Sequence, residues 1–212
     1  MELKKEIGNG IKNIIFDLGG VIIDIFPERS VEAFGKLCRG KVTLENIFPE
    51  NESIFLEYEL GNVSGDEFIE GIKKNYNCRD VDNQALSDAW CALIGDPDPV
   101  RFKLLEKIKK NYRTFVLSNT NVKHIERVHE VMEKSLPGKS FESYFEKCFY
   151  SQDMHLHKHD TEIYLQVISD TGIIPEETLF IDDRAGNFTG AKKAGLNTYH
   201  LTGREKITDL FL

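Results

Sequence analysis

The sequence predicts an α/β fold in which a mainly parallel β-sheet is covered by helices on both faces. Three short apolar segments, at 11–16, 114–117 and 178–181, alternate with segments of helical periodicity. Such alternation is typical of parallel sheets, because strands that are buried on both faces are almost continuously apolar. A fourth strand is predicted at 196–201. Each of the first three strands ends in polar residues, so these residues are expected to meet at the carboxyl edge, where such sheets bind ligands.

Apolar residues spaced three or four positions apart predict the helices between these strands. The helices fall at 100–110, at 122–132, over 163–168 with Gly172 at the end, and at 187–194 with Gly195 at the end. Asn119 or Thr120 is expected to cap the second of these helices, because short polar side chains accept hydrogen bonds from the first free backbone N–H groups.

Residues 25–95 have a different character, with helical periodicity and no convincing strand. Helices are predicted near 29–38, 51–60, 66–76 and 83–94. Ser64 and Glu67 have the spacing of a capping box at the start of the third. We interpret residues 25–95 as a helical cap inserted between the first two strands, and residues 1–24 and 96–212 as the catalytic core. Aromatic residues are expected to form the centre of the cap: Phe34, Phe48, Phe55, Tyr58, Phe68, Tyr76 and Trp90.

The composition is that of a globular protein and argues against several functions. Of the 212 residues, 41% are hydrophobic and 29% are charged, and the formal net charge is -8. A nucleic-acid partner is not expected, because phosphate contacts require a basic face. No apolar segment has the length of a membrane span or the form of a signal peptide, so a cytoplasmic protein without a membrane partner is expected. The four cysteines form no metal-binding motif and are expected to be reduced and mostly buried: Cys38, Cys78, Cys91 and Cys148.

Three carboxylates stand at two of the predicted strand ends. Asp17 follows the first strand, and Asp182 and Asp183 follow the third. Clustered carboxylates repel one another unless a proton or a cation neutralises them. Their hard oxygen atoms are ligands that Mg²⁺ prefers, together with a phosphate oxygen and waters. A magnesium site is therefore predicted at this edge, where a carboxylate could also attack phosphorus and form an aspartyl-phosphate.

Other polar residues near the same edge suit a phosphate group. Ser118 and Asn119 follow the second strand and offer a hydroxyl, an amide and the backbone N–H groups of a helix start. Lys158, in the loop before the next helix, offers a positive charge to a phosphoryl group. The joint placement of these residues and the carboxylates favours phosphoryl transfer.

Four segments of the chain resemble the four motifs of the haloacid dehalogenase (HAD) superfamily, in the same order. They are 16–21 (Phe-Asp-Leu-Gly-Gly-Val), 117–120 (Leu-Ser-Asn-Thr), Lys158, and 180–183 (Phe-Ile-Asp-Asp). Residues 25–95 resemble the helical C1-type cap that this superfamily inserts after the first motif. The resemblance therefore implies a HAD-like Rossmannoid core with an inserted helical cap. With Ser-Gln-Asp at 151–153, the sequence looks closest to small sugar phosphatases of the α-glucose-1-phosphate phosphatase type.

The resemblance also implies a role for each matching residue. Asp17 would be the nucleophile and a Mg²⁺ ligand, and the backbone carbonyl of Gly19 and the carboxylate of Asp183 would be further ligands. Asp182 would reach the metal directly or through a water. The phosphate-binding residues would be Ser118, Asn119, Gly20 and Lys158, of which Lys158 would also be catalytic.

The chain departs from the superfamily pattern at two places. Gly19 stands where most of its phosphatases have an aspartate that acts as general acid and base, a group worth roughly 10²–10⁴-fold in rate. The sugar-phosphate subgroup resembled here lacks that aspartate too, and Asp24 and His155 are conceivable substitutes. Around Lys158, the usual proline and glycine give way to histidines at 155, 157 and 159, whose spacing suits a polar loop better than a transition-metal site. Asn187 stands where some relatives have a further acid.

The predicted function is Mg²⁺-dependent hydrolysis of small phosphomonoesters, with a small phosphorylated metabolite such as a sugar phosphate as the partner. Two alternatives remain open. A metal-independent 2-haloacid dehalogenase would use the same Asp17, but it would gain nothing from the negative charges of Asp182 and Asp183. A non-catalytic protein that binds phosphorylated metabolites would explain why Gly19 replaces the general acid. The sequence predicts neither the identity of the substrate nor the oligomeric state.

Overall fold

A computed structural model describes residues 1–47, 53–203 and 205–212 of the chain. Its strands are β1 (Asn13–Phe16), β2 (Arg113–Ser118), β3 (Lys147–Tyr150), β4 (Thr178–Asp182) and β5 (Asn197–His200). They form a five-stranded sheet in the order β3-β2-β1-β4-β5, and every neighbouring pair is parallel. The predicted α/β fold is confirmed, and β1 lies at the centre of the sheet.

The edge strand β3 has no counterpart among the strands predicted from the sequence. It has four residues, of which Lys147 is exposed and Cys148 is half-buried, so it lacks the continuous apolar character of a central strand. Its register with β2 runs from Phe115 opposite Lys147 to Ser118 opposite Tyr150. Pairing with β2 defines this strand, and a local sequence pattern cannot show such pairing.

Helices cover both faces of the sheet, as predicted. Their bounds are α1 (Lys5–Gly8), α2 (Pro27–Leu37), α3 (Leu44–Ile47), α4 (Ile54–Glu59), α5 (Gly65–Asn75), α6 (Asn83–Cys91), α7 (Pro99–Ile108), α8 (Val122–Ser135), α9 (Ser151–Met154), α10 (Thr161–Thr171) and α11 (Phe188–Lys193). Ile14 and Phe16 of β1 pack in one cluster with α7 and α8, whereas Ile15 packs with α10 and α11 on the other face. No helix in the described ranges is both long and apolar enough to cross a membrane.

The N-cap of α8 is Asn121, so the expectation that Asn119 or Thr120 caps this helix is wrong. Asn121 has an extended backbone, and its side-chain oxygen accepts a hydrogen bond from the backbone N–H of His124 at 3.1 Å. The side chain of Asn119 instead accepts a hydrogen bond from the backbone of Lys158. This contact with Lys158 keeps the side chain of Asn119 from capping α8.

The helices α2–α6 lie between β1 and β2 and are called the inserted helices below. Their buried side chains form an apolar cluster distinct from those on the two faces of the sheet, and its aromatic residues were predicted: Phe34, Phe55, Tyr58, Phe68 and Trp90, with half-buried Tyr76 packed against them. Phe48 and residues 51–52 of the predicted helix lie outside the described residues. The capping box of Ser64 and Glu67 at the start of α5 is confirmed.

Two adjacent segments connect the inserted helices to the sheet. Ile25 and Ile94 form an antiparallel bridge, and the backbone N–H of Gly95 donates to the carbonyl of Asp24 at 2.9 Å. This crossing lies next to the boundaries expected at 25 and 95. The division of the chain into a core and a cap stays a prediction.

Candidate active site

Two strand ends bring three carboxylates together at the carboxyl edge of the sheet. Asp17 directly follows β1, and its backbone N–H donates to the carbonyl of Ile181 in β4 at 2.9 Å. Asp182 is the last residue of β4, and Asp183 follows it. One carboxylate oxygen from each aspartate lies within 4.8 Å of the other two. Across the ranges that the structure covers, this is the one group of three or more acidic, histidine or cysteine ligands that could hold a metal ion.

Lys158 joins this group from the loop before α10. Its Nζ lies 2.8 Å from Oδ1 of Asp17 and 2.7 Å from Oδ2 of Asp182. The lysine side chain is 2% exposed, so both ion pairs are shielded from water and interact more strongly than surface pairs do. The structure thus brings Lys158, from its loop, together with the aspartates that the sequence placed at two strand ends.

Buried polar groups hold Lys158 and Asp182 in place. Asp182 accepts a hydrogen bond at Oδ1 from the backbone N–H of Arg184 at 2.7 Å, and a second one at Oδ2 from Nδ2 of Asn187 at 2.9 Å. The hydroxyl of Tyr164 lies 2.9 Å from the carbonyl oxygen of Lys158 and 2.8 Å from that of Asn187, so its single proton is shared between two loops. Tyr164 is not among the residues predicted for the site, because its helical spacing indicates only a buried position in a helix.

Gly19 and Gly20 lie against neighbouring side chains that leave little space for a Cβ atom. Gly20 has a φ of +74°, and a Cβ atom there would overlap Oδ2 of Asp183. Both facts require glycine at this position. A Cβ atom at Gly19 would lie 3.3 Å from Cδ1 of Ile25, so the space beside Gly19 is narrow and apolar.

Burial and crowding disfavour ionisation of the carboxylates. Burial raises the pKa of Asp17 from 3.8 to about 7, with the positive charge of Lys158 opposing the rise and the charge of Asp182 adding to it. Burial, followed by the charge of Asp182, also raises the pKa of Asp183. Burial would lower the pKa of Lys158, but Asp17 and Asp182 outweigh it, and the pKa is raised. Three carboxylates against one ammonium group leave an excess of negative charge that a divalent cation would neutralise.

Ser118 and Asn119 lie at the end of β2, at the same edge as the carboxylates. Oδ1 of Asn119 accepts a hydrogen bond from the backbone N–H of Lys158 at 3.0 Å, and its Nδ2 lies 3.0 Å from Nδ1 of His157. The amide of Asn119 therefore fixes the lysine loop. Ser118 is 3% exposed, and its Oγ lies 3.5 Å from the carbonyl oxygen of Asn119. Phosphate binding by Ser118, Asn119 and Gly20 stays a prediction.

The three histidines around Lys158 make separate contacts. Nδ1 of His155 lies 2.8 Å from the carbonyl oxygen of Leu60, which follows α4. Nε2 of His157 lies 3.6 Å from a carboxylate oxygen of Glu59 in α4, and the rings of His157 and His159 stack with their centres 5.0 Å apart. These contacts fit the polar loop expected from the spacing, and they link that loop to the inserted helices.

Both residues considered as substitutes for the general acid have other partners. Oδ1 of Asp24 lies 2.6 Å from the guanidinium of Arg101, which is 3% exposed. Asp24 nevertheless lines a cavity of about 470 Å³ together with Gly20 and Asp183. His155 is directed to the backbone of α4 as described above. Proton donation by Asp24 or His155 stays a hypothesis.

Comparisons with known proteins find similarity over almost the whole chain. A family model described as haloacid dehalogenase-like hydrolase matches residues 11–195. A D-ribitol-5-phosphate phosphatase of Bacteroides thetaiotaomicron is 32% identical over 189 residues, covering 89% of this chain and 91% of the relative. An (S)-2-haloacid dehalogenase 4A of Burkholderia cepacia is 27% identical over 205 residues, covering 91% and 84% of the two chains. A crystal structure of a HAD family enzyme of B. thetaiotaomicron, in complex with magnesium and inorganic phosphate, has a TM-score of 0.84 and 34% identity, covering 95% of this chain and 100% of that chain.

Proposed function

This chain belongs to the haloacid dehalogenase-like hydrolase family, as its motifs predicted, and on that premise we propose that it hydrolyses small phosphomonoesters with Mg²⁺ as cofactor and Asp17 as nucleophile. The observation that carries the proposal is the buried ion pair of Asp17 and Lys158 inside a group of three carboxylates that could hold a metal ion. Sugar phosphates and sugar-alcohol phosphates are the proposed substrates, because a relative with 32% identity is named a D-ribitol-5-phosphate phosphatase.

The oxygen atoms of the site fit Mg²⁺. This hard cation takes one or two carboxylates, phosphate oxygens and waters, and a structural relative of this chain has been crystallised with magnesium and phosphate. Asp17, Asp183 and the backbone carbonyl of Gly19 would hold the ion, which when bound would neutralise charge on the phosphoryl group. Asp182 would reach the ion directly or through a water, and its Oδ2 would also keep Lys158 in place.

In the proposed reaction, Asp17 attacks phosphorus with an oxygen that is already oriented. Its Oδ1 accepts hydrogen bonds from the backbone N–H of Leu18 at 2.7 Å and from Lys158 at 2.8 Å, so we assign the attack to Oδ2. A bond forms between Oδ2 and phosphorus while the ester oxygen departs with its bonding electron pair. Lys158 stays charged and stabilises the negative charge that gathers beside it. Water then attacks phosphorus, the bond between Oδ2 and phosphorus breaks, and inorganic phosphate is released as Asp17 is restored.

The departing ester oxygen needs a proton, and position 19 offers none. Gly19 has no side chain, and the adjacent space is occupied by the apolar side chain of Ile25. The proposal therefore predicts a strong dependence of rate on the leaving group. An acidic leaving group such as p-nitrophenol should depart faster than a sugar alcohol, for which water, Asp24 or His155 would have to supply the proton.

The test is a phosphate-release screen over phosphorylated metabolites, run once with Mg²⁺ and once with a chelator. We expect release from sugar or sugar-alcohol phosphates in Mg²⁺ only, and no release by Asp17→Asn. Asp170→Asn is the matched control, because Asp170 forms a partly exposed ion pair with Lys147. Lys147 is the first residue of β3, so this ion pair lies at the amino ends of the strands, away from the site at their carboxyl ends. This control should keep the wild-type rate. Phosphate release by Asp17→Asn at that rate would refute the assigned nucleophile.

A 2-haloacid dehalogenase is the second candidate function, because a relative with 27% identity carries that name. Such an enzyme displaces halide from carbon without a metal, and the extra charges of Asp182 and Asp183 oppose that reaction. Halide release from 2-haloacids in chelator, without phosphate release in Mg²⁺, would select this candidate. Melting shifts with phosphorylated metabolites, without release of either product, would select a non-catalytic binding protein.

A further inference from the structure

Two loops between the inserted helices contain a pair of cysteines that the proposed reaction does not use. Cys38 directly follows α2, and Cys78 lies in the loop after α5. The two cysteines are 40 residues apart in the sequence. Their Sγ atoms are 2.6 Å apart, which is closer than ordinary van der Waals contact but longer than the ~2.05 Å of a disulfide bond. Both side chains are buried. Nothing in the spacing of the four cysteines along the sequence reveals this contact.

The surrounding backbone keeps the two thiols together. The N–H of Gly40 donates to the carbonyl oxygen of Tyr76 at 2.8 Å, and a Cβ atom at Gly40 would lie 2.7 Å from the same oxygen. The segment after α2 is therefore pressed against the segment after α5. Sγ of Cys78 also lies 3.7 Å from the carbonyl oxygen of Ile72 in α5, which anchors this thiol within its own segment.

We propose that Cys38 and Cys78 form a reversible thiol–disulfide site whose oxidants are small disulfide compounds of the glutathione type. The thiolate of one cysteine attacks the small disulfide, RSSR, and a mixed disulfide forms as one RSH leaves. The second cysteine then displaces the other RSH, and the bond between Cys38 and Cys78 forms. Two electrons pass from the protein to RSSR, and the two thiol protons end on the two RSH molecules.

Burial of the two thiols should make this reaction slow, and the disulfide that forms should stabilise the fold. Burial, together with the hydrogen bond to Cys78, raises the pKa of Cys38 to about 12, so little thiolate is present at neutral pH. Oxidation should therefore take minutes to hours and become faster as the pH rises. The bond would link the segments after α2 and α5 and constrain the unfolded chain, so the melting temperature should rise by about 5–10 °C.

The test treats the folded full-length chain with glutathione disulfide, stops the reaction with acid, unfolds the chain and labels the remaining thiols with a maleimide mass tag. We expect the wild type to lose two of its four thiols. Peptide mapping should then show Cys38 linked to Cys78, and dithiothreitol should restore all four. The double variant Cys91→Ala/Cys148→Ala is the matched control and should still lose two thiols. Cys38→Ala should form no internal bond and show no rise in melting temperature.

Four labelled thiols in the wild type after prolonged oxidation would overturn the proposal. Stable glutathione adducts without a bond between Cys38 and Cys78 would do so as well. The same melting shift in oxidised Cys38→Ala as in the oxidised wild type would also contradict it. Circular dichroism establishes that the variant is folded, and Cys78→Ser gives the same comparison if Cys38→Ala does not fold.

Discussion

Replacing Asp17 with asparagine should abolish activity and at the same time stabilise the fold. Burial raises the pKa of Asp17 from 3.8 to about 7, so ionising this side chain in the folded chain is unfavourable. At about 1.4 kcal/mol for each unit of pKa, the rise corresponds to about 4 kcal/mol of stability lost above neutral pH. Asparagine has the same shape, carries no charge and can still accept the hydrogen bond from the N–H of Leu18. Because its amide must also leave water, we expect a net gain of about 2–4 kcal/mol.

The gain in stability should depend on pH in a defined way. The unfolded chain releases the proton of Asp17 near pH 3.8, whereas the folded chain holds it until about pH 7. Between these values the folded state binds more protons than the unfolded state, so ionisation of Asp17 lowers wild-type stability as the pH rises. Asp17→Asn lacks this loss. The difference in free energy of unfolding between Asp17→Asn and the wild type should therefore be near zero at pH 3.8 and reach its full size above about pH 7.

Urea denaturation at a series of pH values, with a chelator present, measures this difference. Asp170→Asn, whose ion pair is partly exposed, should show little change at any pH. Added Mg²⁺ should reduce the advantage of Asp17→Asn, because a ligand that binds only the folded wild type stabilises it. A variant no more stable than the wild type at about pH 8 in chelator, or an advantage that does not change with pH, would refute the reasoning.

Three other changes test the surroundings of the site. Lys158→Met should abolish phosphate release and destabilise the fold by about 3–5 kcal/mol, because it leaves Asp17 and Asp182 buried without their cation. Urea denaturation measures the loss, and unchanged stability would contradict this prediction. Tyr164→Phe should lower kcat more than it changes KM, and destabilise by about 1–2 kcal/mol, because the hydroxyl that joins two site loops is lost; an unaltered kcat would exclude a positioning role. Burial lowers the pKa of His124 from 6.5 to about 4. As the pH falls from 6.5 to about 4, the unfolded chain therefore protonates this imidazole before the folded chain does, and the wild type should lose stability relative to His124→Gln. Parallel acid titrations followed by circular dichroism measure that difference, and curves of equal slope would contradict it.

The strand ends could be predicted because burial on two faces leaves a direct trace in the sequence. The strands β1, β2 and β4 are buried almost throughout and end beside Asp17, Ser118 and Asp182. A run of apolar residues that stops at a polar one is visible without any knowledge of the fold. The edge strand β3 leaves no such trace, because half of its residues are accessible and its pairing partner is distant in sequence.

Contacts between distant side chains could not be predicted from spacing. Tyr164 has the helical spacing of a core residue, and the structure alone reveals that its hydroxyl reaches two loops of the site. Nor does the sequence show that the amide of Asn119 holds the lysine loop. Cys38 and Cys78 are distant in sequence and adjacent in space. Each of these contacts depends on how secondary-structure elements pack, which periodicity does not encode.

Polar contacts near the site join the inserted helices to the segments that follow β2 and β3. The carbonyl of Glu59 accepts a hydrogen bond from Oγ of Ser151 at 2.6 Å, and the carbonyl of Leu60 lies 2.8 Å from Nδ1 of His155. Carbonyls at the end of a helix have no partner within the helix, so Ser151 and His155 contact the carbonyls at the end of α4. The same Oγ of Ser151 accepts a hydrogen bond from the backbone N–H of Thr120, in the loop that follows β2, at 2.9 Å. A displacement of α4 must therefore disturb a hydroxyl that also holds the loop predicted to bind phosphate. The position of the inserted helices and the arrangement of that loop are consequently coupled through one buried hydrogen-bond network.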